Sequence, residues 1–180
     1  MSDWPVNLTD PLVTIHTWSL EAIGADLTAQ AKYMTAAASV VWPTAGLAIF
    51  IPFTVSKIIT VKQLFVYNGT VASSSFCVGV YDAFGNRLIT SASTSQSTAS
   101  VVQVCDTTDT NIGPGNYYLA LSASTATQSF FALTMAANIF PGITGMAQMA
   151  AAYPLPSTAT FSQIAGNYIP VIGLTTRVVV

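Results

Sequence analysis

The sequence predicts an all-β protein in which antiparallel strands form a sandwich or a barrel. Short apolar runs recur at regular intervals, and each is bounded by Gly, Pro, Asn or Asp. Several connections have the residues that tight turns need, such as Asn68-Gly69 and the Gly-Pro-Gly-Asn run at 113–116. Short strands at such spacing are typical of sandwiches and barrels with meander or Greek-key connections.

The N-terminal region, residues 1–45, lacks this regular strand pattern. It contains Trp4 and Trp18 together with two prolines and a polar stretch. Two interpretations remain open. The region is either an arm or docking segment attached to a sandwich domain at residues 46–180, or an edge strand and loop packed on that domain.

Nine segments are predicted as strands because apolar residues dominate them and turn residues flank them. They are 46–51, 58–66, 76–81, 87–91, 101–105, 117–122, 130–135, 158–164 and 174–180. Two Ala-rich segments, 19–38 and 144–152, favour short helices instead, and Pro154 would stop the second one. Neither helix is expected to supply the main core.

The stretch VGVYDAFGNRLIT, residues 78–90, predicts a β-hairpin. Asp82 can accept hydrogen bonds from backbone N–H groups two residues on, and Gly85 takes a positive φ without steric cost. Asn86 also tolerates turn conformations. The turn explains these polar residues without any chemistry, and Arg87 is expected to be a solvated flank.

Charged residues are scarce. They make up 7% of the chain, against roughly 25% in an average soluble domain, while 52% of the residues are hydrophobic. Ser and Thr must therefore cover much of the surface, and no charged residue occurs between Asp109 and Arg177. Little electrostatic repulsion would keep such chains apart, so we expect the surface to be covered by copies of the chain or by a larger assembly.

Composition also excludes several classes of function. The net charge is −2 and the five basic residues are scattered, so nucleic-acid binding is not expected. The uncharged stretch between Lys32 and Lys57 contains Pro43 and Pro52, which argues against membrane insertion. The first residues do not have the pattern of a secretory signal, so the N-glycosylation pattern at Asn68 carries little weight.

No catalytic residue and no cofactor are predicted. His16 is the one histidine, and no Ser lies in a Gly-x-Ser-x-Gly pattern. Asp106 and Asp109 lie in a Thr-rich stretch where carboxylates usually cap backbone groups, although a loop calcium site between them remains an alternative.

Cys77 and Cys105 each lie within a predicted strand. Free cysteines are among the most buried residues, so two buried thiols are favoured over a disulfide between neighbouring strands.

Large apolar side chains exceed what one small core is expected to bury. We therefore predict a docking or oligomer interface that uses some of them. The candidate interface residues are Trp4, Trp18, Phe130, Phe131, Phe140, Met146, Met149 and Tyr153.

Five segments together resemble small virion structural proteins of tailed bacteriophages. They are VVWPTAGLAIFIPFTV at 40–55, the run from 61 to 93 that contains GVYDAFGNRL, the run from 101 to 123 that contains GPGNYYLAL, LPSTATF at 155–161, and PVIGLTTRVVV at 170–180. The resemblance covers residues 40–180. Each segment alone is a generic β-sandwich feature, and the combination carries the resemblance.

The resemblance implies an antiparallel, jelly-roll-like β-sandwich displayed in many copies on the particle surface. Such proteins are head-decoration, fibre or tail components, are commonly trimeric, and contact other virion proteins or host-surface glycans. The family has no catalytic residue to transfer to this chain.

Three hypotheses of function follow: a non-enzymatic virion structural protein, a glycan-binding host-receptor module, and a secreted carbohydrate-binding domain. The first is favoured. Exposed Tyr or Trp rings clustered on one side would favour glycan binding, whereas aromatic rings buried in the core or at an interface would favour a structural role.

Overall fold

The computed structural model describes residues 38–134, 145–176 and 178, with Tyr168 described by its backbone only. Every regular element in these ranges is a β-strand, which confirms the all-β prediction. The strands are β1 (Ala38–Val41), β2 (Ala48–Val55), β3 (Ile59–Tyr67), β4 (Ser75–Asp82), β5 (Arg87–Thr90), β6 (Thr94–Ser95), β7 (Val102–Ile112), β8 (Gly115–Ala123), β9 (Ser129–Thr134), β10 (Ala147–Met149), β11 (Ser162–Gln163), β12 (Tyr168–Pro170) and β13 (Ile172–Thr175).

The strands form two layers. One layer is a seven-stranded sheet in the order β11-β10-β2-β8-β4-β5, with β6 also paired to β4. The other layer consists of two three-stranded sheets, β1-β9-β12 and β13-β3-β7. All strand pairs are antiparallel. From β2 to β4, and again from β7 to β9, the chain changes layer at each connection, which is the jelly-roll-like sandwich that was expected.

The two small sheets are joined through Val171, the residue between β12 and β13. Its N–H donates to the Phe131 carbonyl on β9, and its carbonyl accepts the N–H of Tyr67 on β3, both at 2.9 Å. An isolated bridge between Asn68 and Phe130 adds a second link. The second layer therefore behaves as one surface, although its hydrogen bonding is divided between two sheets.

The main core lies between the layers, and β2 shows how the sequence builds it. Ile49, Ile51 and Phe53 point into this core, whereas the alternating Ala48 and Phe50 point to the other side of the sheet. All five side chains are buried. A strand buried on both faces has a nearly continuous apolar sequence, as β2 does.

The sandwich begins before the predicted domain boundary. β1 pairs with β9, from Ala38 opposite Ala132 to Val41 opposite Ser129. Trp42 is 2% exposed, and its ring meets Phe130 edge-on with the centroids 5.4 Å apart. Residues 38–45 therefore pack on the sandwich as an edge strand and a loop, and the choice between an arm and an edge strand stays a prediction for residues 1–37. The rest of the N-terminal region lies outside the described residues.

The outer face of the seven-stranded sheet is covered by residues 150–161, which follow β10 and which we call the covering segment. Ala152, Leu155 and Ala159 of this segment are buried against Phe50 and Tyr81. The helix predicted at 144–152 is wrong, because its described part contains β10 and a turn. Pairing with the edge of β2 and burial of Ala147 outweigh the helix propensity of an Ala-rich stretch.

The hairpin prediction at residues 78–90 is confirmed. Asp82 accepts hydrogen bonds from the Phe84 N–H at 2.9 Å and the Asn86 N–H at 2.8 Å, and Gly85 has φ +87°. Slight desolvation raises the pKa of Asp82, but its hydrogen bonds with Asn86, Phe84 and Gly85 outweigh this and lower the pKa below its ordinary value.

Arg87 is more than the solvated flank that was predicted. It is half-buried, its Nη1 donates to the Leu155 carbonyl, and its backbone N–H donates to the Ser157 carbonyl at 2.9 Å. Tyr81 Oη donates to the Pro156 carbonyl at 2.6 Å. Burial raises the pKa of Tyr81 well above its ordinary range. The hairpin therefore holds the covering segment in place.

The other strand predictions differ from the structure mainly in length. β7 extends to Ile112, well past the predicted end at Cys105. The strand predicted at 158–164 is reduced to the two residues of β11 and a bridge between Thr158 and Asn86. The last strand begins at Ile172, two residues before the predicted start.

Candidate interaction surface

The charged side chains of the described ranges are Lys57, Lys62, Asp82, Arg87, Asp106 and Asp109. All but one lie toward one end of the sandwich, and Asp106 lies opposite Gln63, midway along β3. The strand registers place the others together, because Val55 pairs with Gly115, Ile59 with Ile112, and Asp82 with Tyr117. We call this part of the molecule the charged end.

The opposite end is built from three loops without a charged residue, 68–74, 91–101 and 124–128. They meet where Ser75 pairs with Ser95 and Phe76 pairs with Ala123. Their side chains are mostly hydroxyls, together with a few amides and aliphatic groups. We call this part the uncharged end.

Buried amide side chains fix the loops of the uncharged end. Gln96 is 8% exposed, donates from Nε2 to the Ser129 carbonyl at 2.8 Å, and accepts the Ser73 N–H at 3.1 Å. Gln128 has no exposed surface and donates to the Ser75 carbonyl at 3.1 Å. Because such bonds satisfy backbone groups that no strand pairs, the Ser/Thr-rich loops have defined conformations.

Asn68 belongs to the same buried network. Its side chain has no exposed surface, and Nδ2 donates to the Thr98 carbonyl at 3.1 Å and to Gln103 Oε1 at 2.9 Å. An N-glycan needs this nitrogen to be accessible. The Asn-Gly-Thr pattern at Asn68 therefore forms a structural turn in the folded chain. This agrees with the little weight given to it as a glycosylation site.

An apolar area without a charged side chain lies next to the uncharged end, on the outer side of the second layer. We call it the uncharged patch. Its members are Val41, Tyr67, Val71, Val101, Val102 and Phe131. The four valines are 44–55% exposed, which is high for side chains of this type.

Hydrogen bonds and strand pairs connect the members of this patch. Tyr67 is opposite Val102, and its ring stacks on Phe131 with the centroids 4.2 Å apart and the planes at 23°. Val41 is opposite Ser129, whose N–H donates to the Val71 carbonyl at 2.9 Å. Residues opposite each other in an antiparallel pair share a face, and so do Ser129 and Phe131, two positions apart in β9, so Val41, Phe131, Tyr67 and Val102 lie on one face. Val71 and Val101 lie in the adjoining loops.

The hydroxyls beside the patch bond to one another. Ser39 Oγ contacts Thr70 Oγ1 and Ser129 Oγ, each at 3.0 Å, and also accepts the Thr70 N–H at 2.8 Å. Ser129 Oγ in turn accepts the Val71 N–H at 2.9 Å. These groups are already occupied within the chain, so the area favours an apolar contact over a strongly hydrogen-bonded one.

The predicted interface residues that the structure describes do not come together in one place. Phe130 and Met146 are 2% and 3% exposed in the main core, so this part of the prediction needs correction because they have almost no surface for a partner. Met149, at the end of β10, and Tyr153, on the covering segment, are half-buried, and Tyr153 Oη contacts Ser93 Oγ.

Phe131 is the one predicted interface residue in the uncharged patch, and Trp4, Trp18 and Phe140 lie outside the described residues. Sequence reasoning missed the four exposed valines, because isolated valines in strands usually point into a core. The position of Val101 and Val102 directly after the Ser/Thr-rich run 90–100 gave a signal, because a strand that follows a surface loop begins near the surface.

Asp106 and Asp109 are occupied by neighbouring side chains. Gln63 Nε2 donates to Asp106 Oδ1 and Lys62 Nζ pairs with Asp109 Oδ2, each at 2.6 Å. No group of three or more His, Cys, Asp or Glu side chains that could hold a metal ion occurs in the part of the chain that the structure describes. These two carboxylates serve strand pairing at the bulge where β3 and β7 shift register.

Cys77 and Cys105 are both buried free thiols, as favoured from the sequence. Cys105 belongs to the main core, whereas Cys77 lies on the other side of the seven-stranded sheet. Cys77 Sγ donates to the Ala92 carbonyl at 2.9 Å. Burial raises the pKa of the Cys105 thiol to about 11.

A narrow apolar cleft of about 250 Å³ lies at the edge of β10, lined mainly by Pro43, Leu47, Ile49, Ile164 and Ala165. Among the described residues, none form a helix long and apolar enough to cross a membrane. A scan against models of protein families and a search of curated proteins found no match to this chain.

Proposed function

We propose that this chain is a non-enzymatic structural protein of a tailed-bacteriophage virion. In this proposal several copies form a head-decoration, fibre or tail component on the particle surface, and the homo-oligomer is a trimer. The observation that carries the proposal is the division of the molecule into a charged end and an uncharged end with its adjacent apolar patch. A component of a particle stays bound to its neighbours permanently. Permanent interfaces are more apolar than transient ones, so a surface of this kind suits that role.

The motifs behind the resemblance have structural roles in this fold. The GVYDAFGNRL segment forms the β4–β5 hairpin, and GPGNYYLAL leads into β8. The WPT segment places Trp42 in the core before β2 begins. Because these motifs form turns and pack in the core, they support a structural role for the protein.

The Tyr and Trp rings support the structural hypothesis over glycan binding, and the one widely exposed ring among those described is that of Phe84, at the turn of the β4–β5 hairpin. Every Tyr and Trp side chain that the structure describes is buried or half-buried. The side chain of Tyr168 is not among them. Tyr67 and Phe131 stack on each other, so each covers one face of the other ring. A sugar platform needs open aromatic faces beside free hydrogen-bonding groups.

Electron microscopy of intact particles from the source of this sequence tests the proposal. We expect the sandwich to fit density at symmetry-related surface positions, with mass spectrometry of the same purified particles detecting the chain. Its absence from purified particles would contradict the virion role. Specific binding on a glycan array by the isolated protein would support the second hypothesis.

A further inference from the structure

We infer that the uncharged patch, Val41, Tyr67, Val71, Val101, Val102 and Phe131, is the surface through which copies of this chain associate, with patch facing patch around a symmetry axis. This inference rests on the proposed multimeric function and adds to it the specific contact surface and its chemistry.

Charge is the first argument for a second copy as the partner. None of the six charged side chains of the described ranges belongs to the patch, and the carboxylate nearest to it in β7, that of Asp106, is bonded to Gln63. A partner with charged side chains would have to desolvate them against valines and aromatic rings, which is costly. The same patch on a second copy avoids this cost.

The location of the charges is the second argument. All but Asp106 lie toward the other end of the sandwich, where they remain in solvent when the patches meet, and Asp106 lies midway along β3 with its carboxylate bonded to Gln63. Symmetric contact would therefore place the uncharged parts of the subunits inward and their charged ends outward. A monomer with the same division into charged and uncharged parts would leave these four half-exposed valines in contact with solvent.

The rigidity of the surface is the third argument. The patch lies mainly on strands and on loops held by Asn68 and Gln96, so association would order few additional groups. Its hydroxyl neighbours, Ser39, Thr70 and Ser129, bond to one another. A glycan would find few free donors and acceptors there, which leaves apolar burial as the main attraction.

Charge substitutions in the whole chain test the inference. Val102→Lys, Val102→Glu and Val71→Lys each place a charge in the patch at a position that is 46–50% exposed. We expect each to weaken association at least tenfold in mass photometry and sedimentation. An equimolar mixture of the Val102→Lys and Val102→Glu variants should associate more tightly than either variant alone, because a mixed trimer brings opposite charges together, whereas either variant alone brings only like charges together.

Ile58→Lys and Leu88→Lys are the matched controls, because these apolar residues are 71% and 41% exposed toward the charged end. Both should associate like the unmodified chain. Circular dichroism would verify that all variants are folded. For the unmodified chain, hydrogen exchange at Tyr67–Val71 and at 101–103 should slow as the protein concentration rises, and this measurement needs no variant.

The outcomes separate the inference from the proposed function. Variants that stay associated like the controls, or a mixture that gains nothing, would overturn patch-to-patch contact while multimeric function stands. An unmodified chain that stays monomeric at micromolar concentration would overturn both, and the patch would then need another cover, such as residues 1–37 or a glycan. The inference would be supported if the Ile58→Lys variant associates fully while the Val102→Lys variant loses association.

Discussion

Gly85 and Ala159 approach each other so closely that a Cβ on Gly85 would lie within 3.0 Å of the Ala159 carbonyl oxygen. The Ala159 N–H also donates to the Gly85 carbonyl at 2.8 Å. The turn of the β4–β5 hairpin and the covering segment therefore meet through backbone atoms, and neither can move without the other.

Replacing Gly85 by Val should lower the free energy of unfolding by about 1–3 kcal/mol, because a β-branched residue would be strained at φ +87° and would overlap Ala159. Urea unfolding measures the change. Gly113→Ala is the control, since a Cβ there meets nothing within 4 Å. Equal stability of the Gly85 variant would contradict this account of the turn.

Gly173→Ala should also destabilise the fold, by about 1–3 kcal/mol, because the new methyl group would overlap the Phe65 ring. The conflict is between two side chains, so a smaller partner should relieve it. We expect the double variant Gly173→Ala/Phe65→Leu to lose less than the two single losses added together, as measured by a double-mutant cycle. Additive losses would show that the overlap is not the cause.

Gln96→Ala should cost about 1–3 kcal/mol, because it leaves the Ser73 N–H without its partner and removes one of the two donors to the Ser129 carbonyl, which keeps the Gly69 N–H. Amide exchange at Ser73 should become faster. The exposed Gln163 provides the control, and its replacement by Ala should change stability by less than about 0.5 kcal/mol. Unchanged exchange at Ser73 would argue against a locked uncharged end.

Stability should fall with rising pH between about 9 and 10, because burial raises the pKa of Cys105 from 9.0 to about 11. The unfolded chain loses this proton near pH 9, whereas the folded chain keeps it, so the contribution is complete below pH 9 and disappears toward pH 11. Above pH 10 the raised pKa of Tyr81 acts in the same direction. Urea midpoints of Cys105→Ala should fall less steeply between about pH 9 and 10, and parallel slopes would contradict the assignment.

Association of the chains should survive an increase in NaCl from about 0.1 M to 1 M. The Debye length falls from about 10 Å to about 3 Å over this range, which weakens exposed ion pairs but not apolar burial. Sedimentation at both salt concentrations checks the expectation. An oligomer found only at low salt would require an ionic interface elsewhere on the chain.

The strands of the main core could be predicted because local sequence and burial agree there. β2, β4 and β8 combine apolar residues on both faces with clear turn residues at their ends. The β4–β5 hairpin followed from Asp82, Gly85 and Asn86, whose roles are local. In these places each residue acts mainly on its near neighbours in sequence.

The remaining features depend on partners distant in sequence. Ala147 joins a strand because the edge of β2 is open beside it, and Phe130 is buried because Trp42 packs against its ring. The exposure of Val102 depends on which strands cover the outer side of the second layer. The buried roles of Gln96 and Gln128 had one sequence signal, since they are the only long amides in their Ser/Thr-rich runs.

The position of β13 far along the chain from β3 affects the order in which the protein folds during synthesis. β3 is synthesised early, yet one of its two neighbours, β13, follows much later, and Val171 joins the two small sheets only then. Until the ribosome releases β13, one edge of β3 has no partner and the core residues Ile172 and Leu174 are absent. Nascent chains should therefore need protection from aggregation between the synthesis of β3 and that of β13, and chains that contain both strands should fold as a unit.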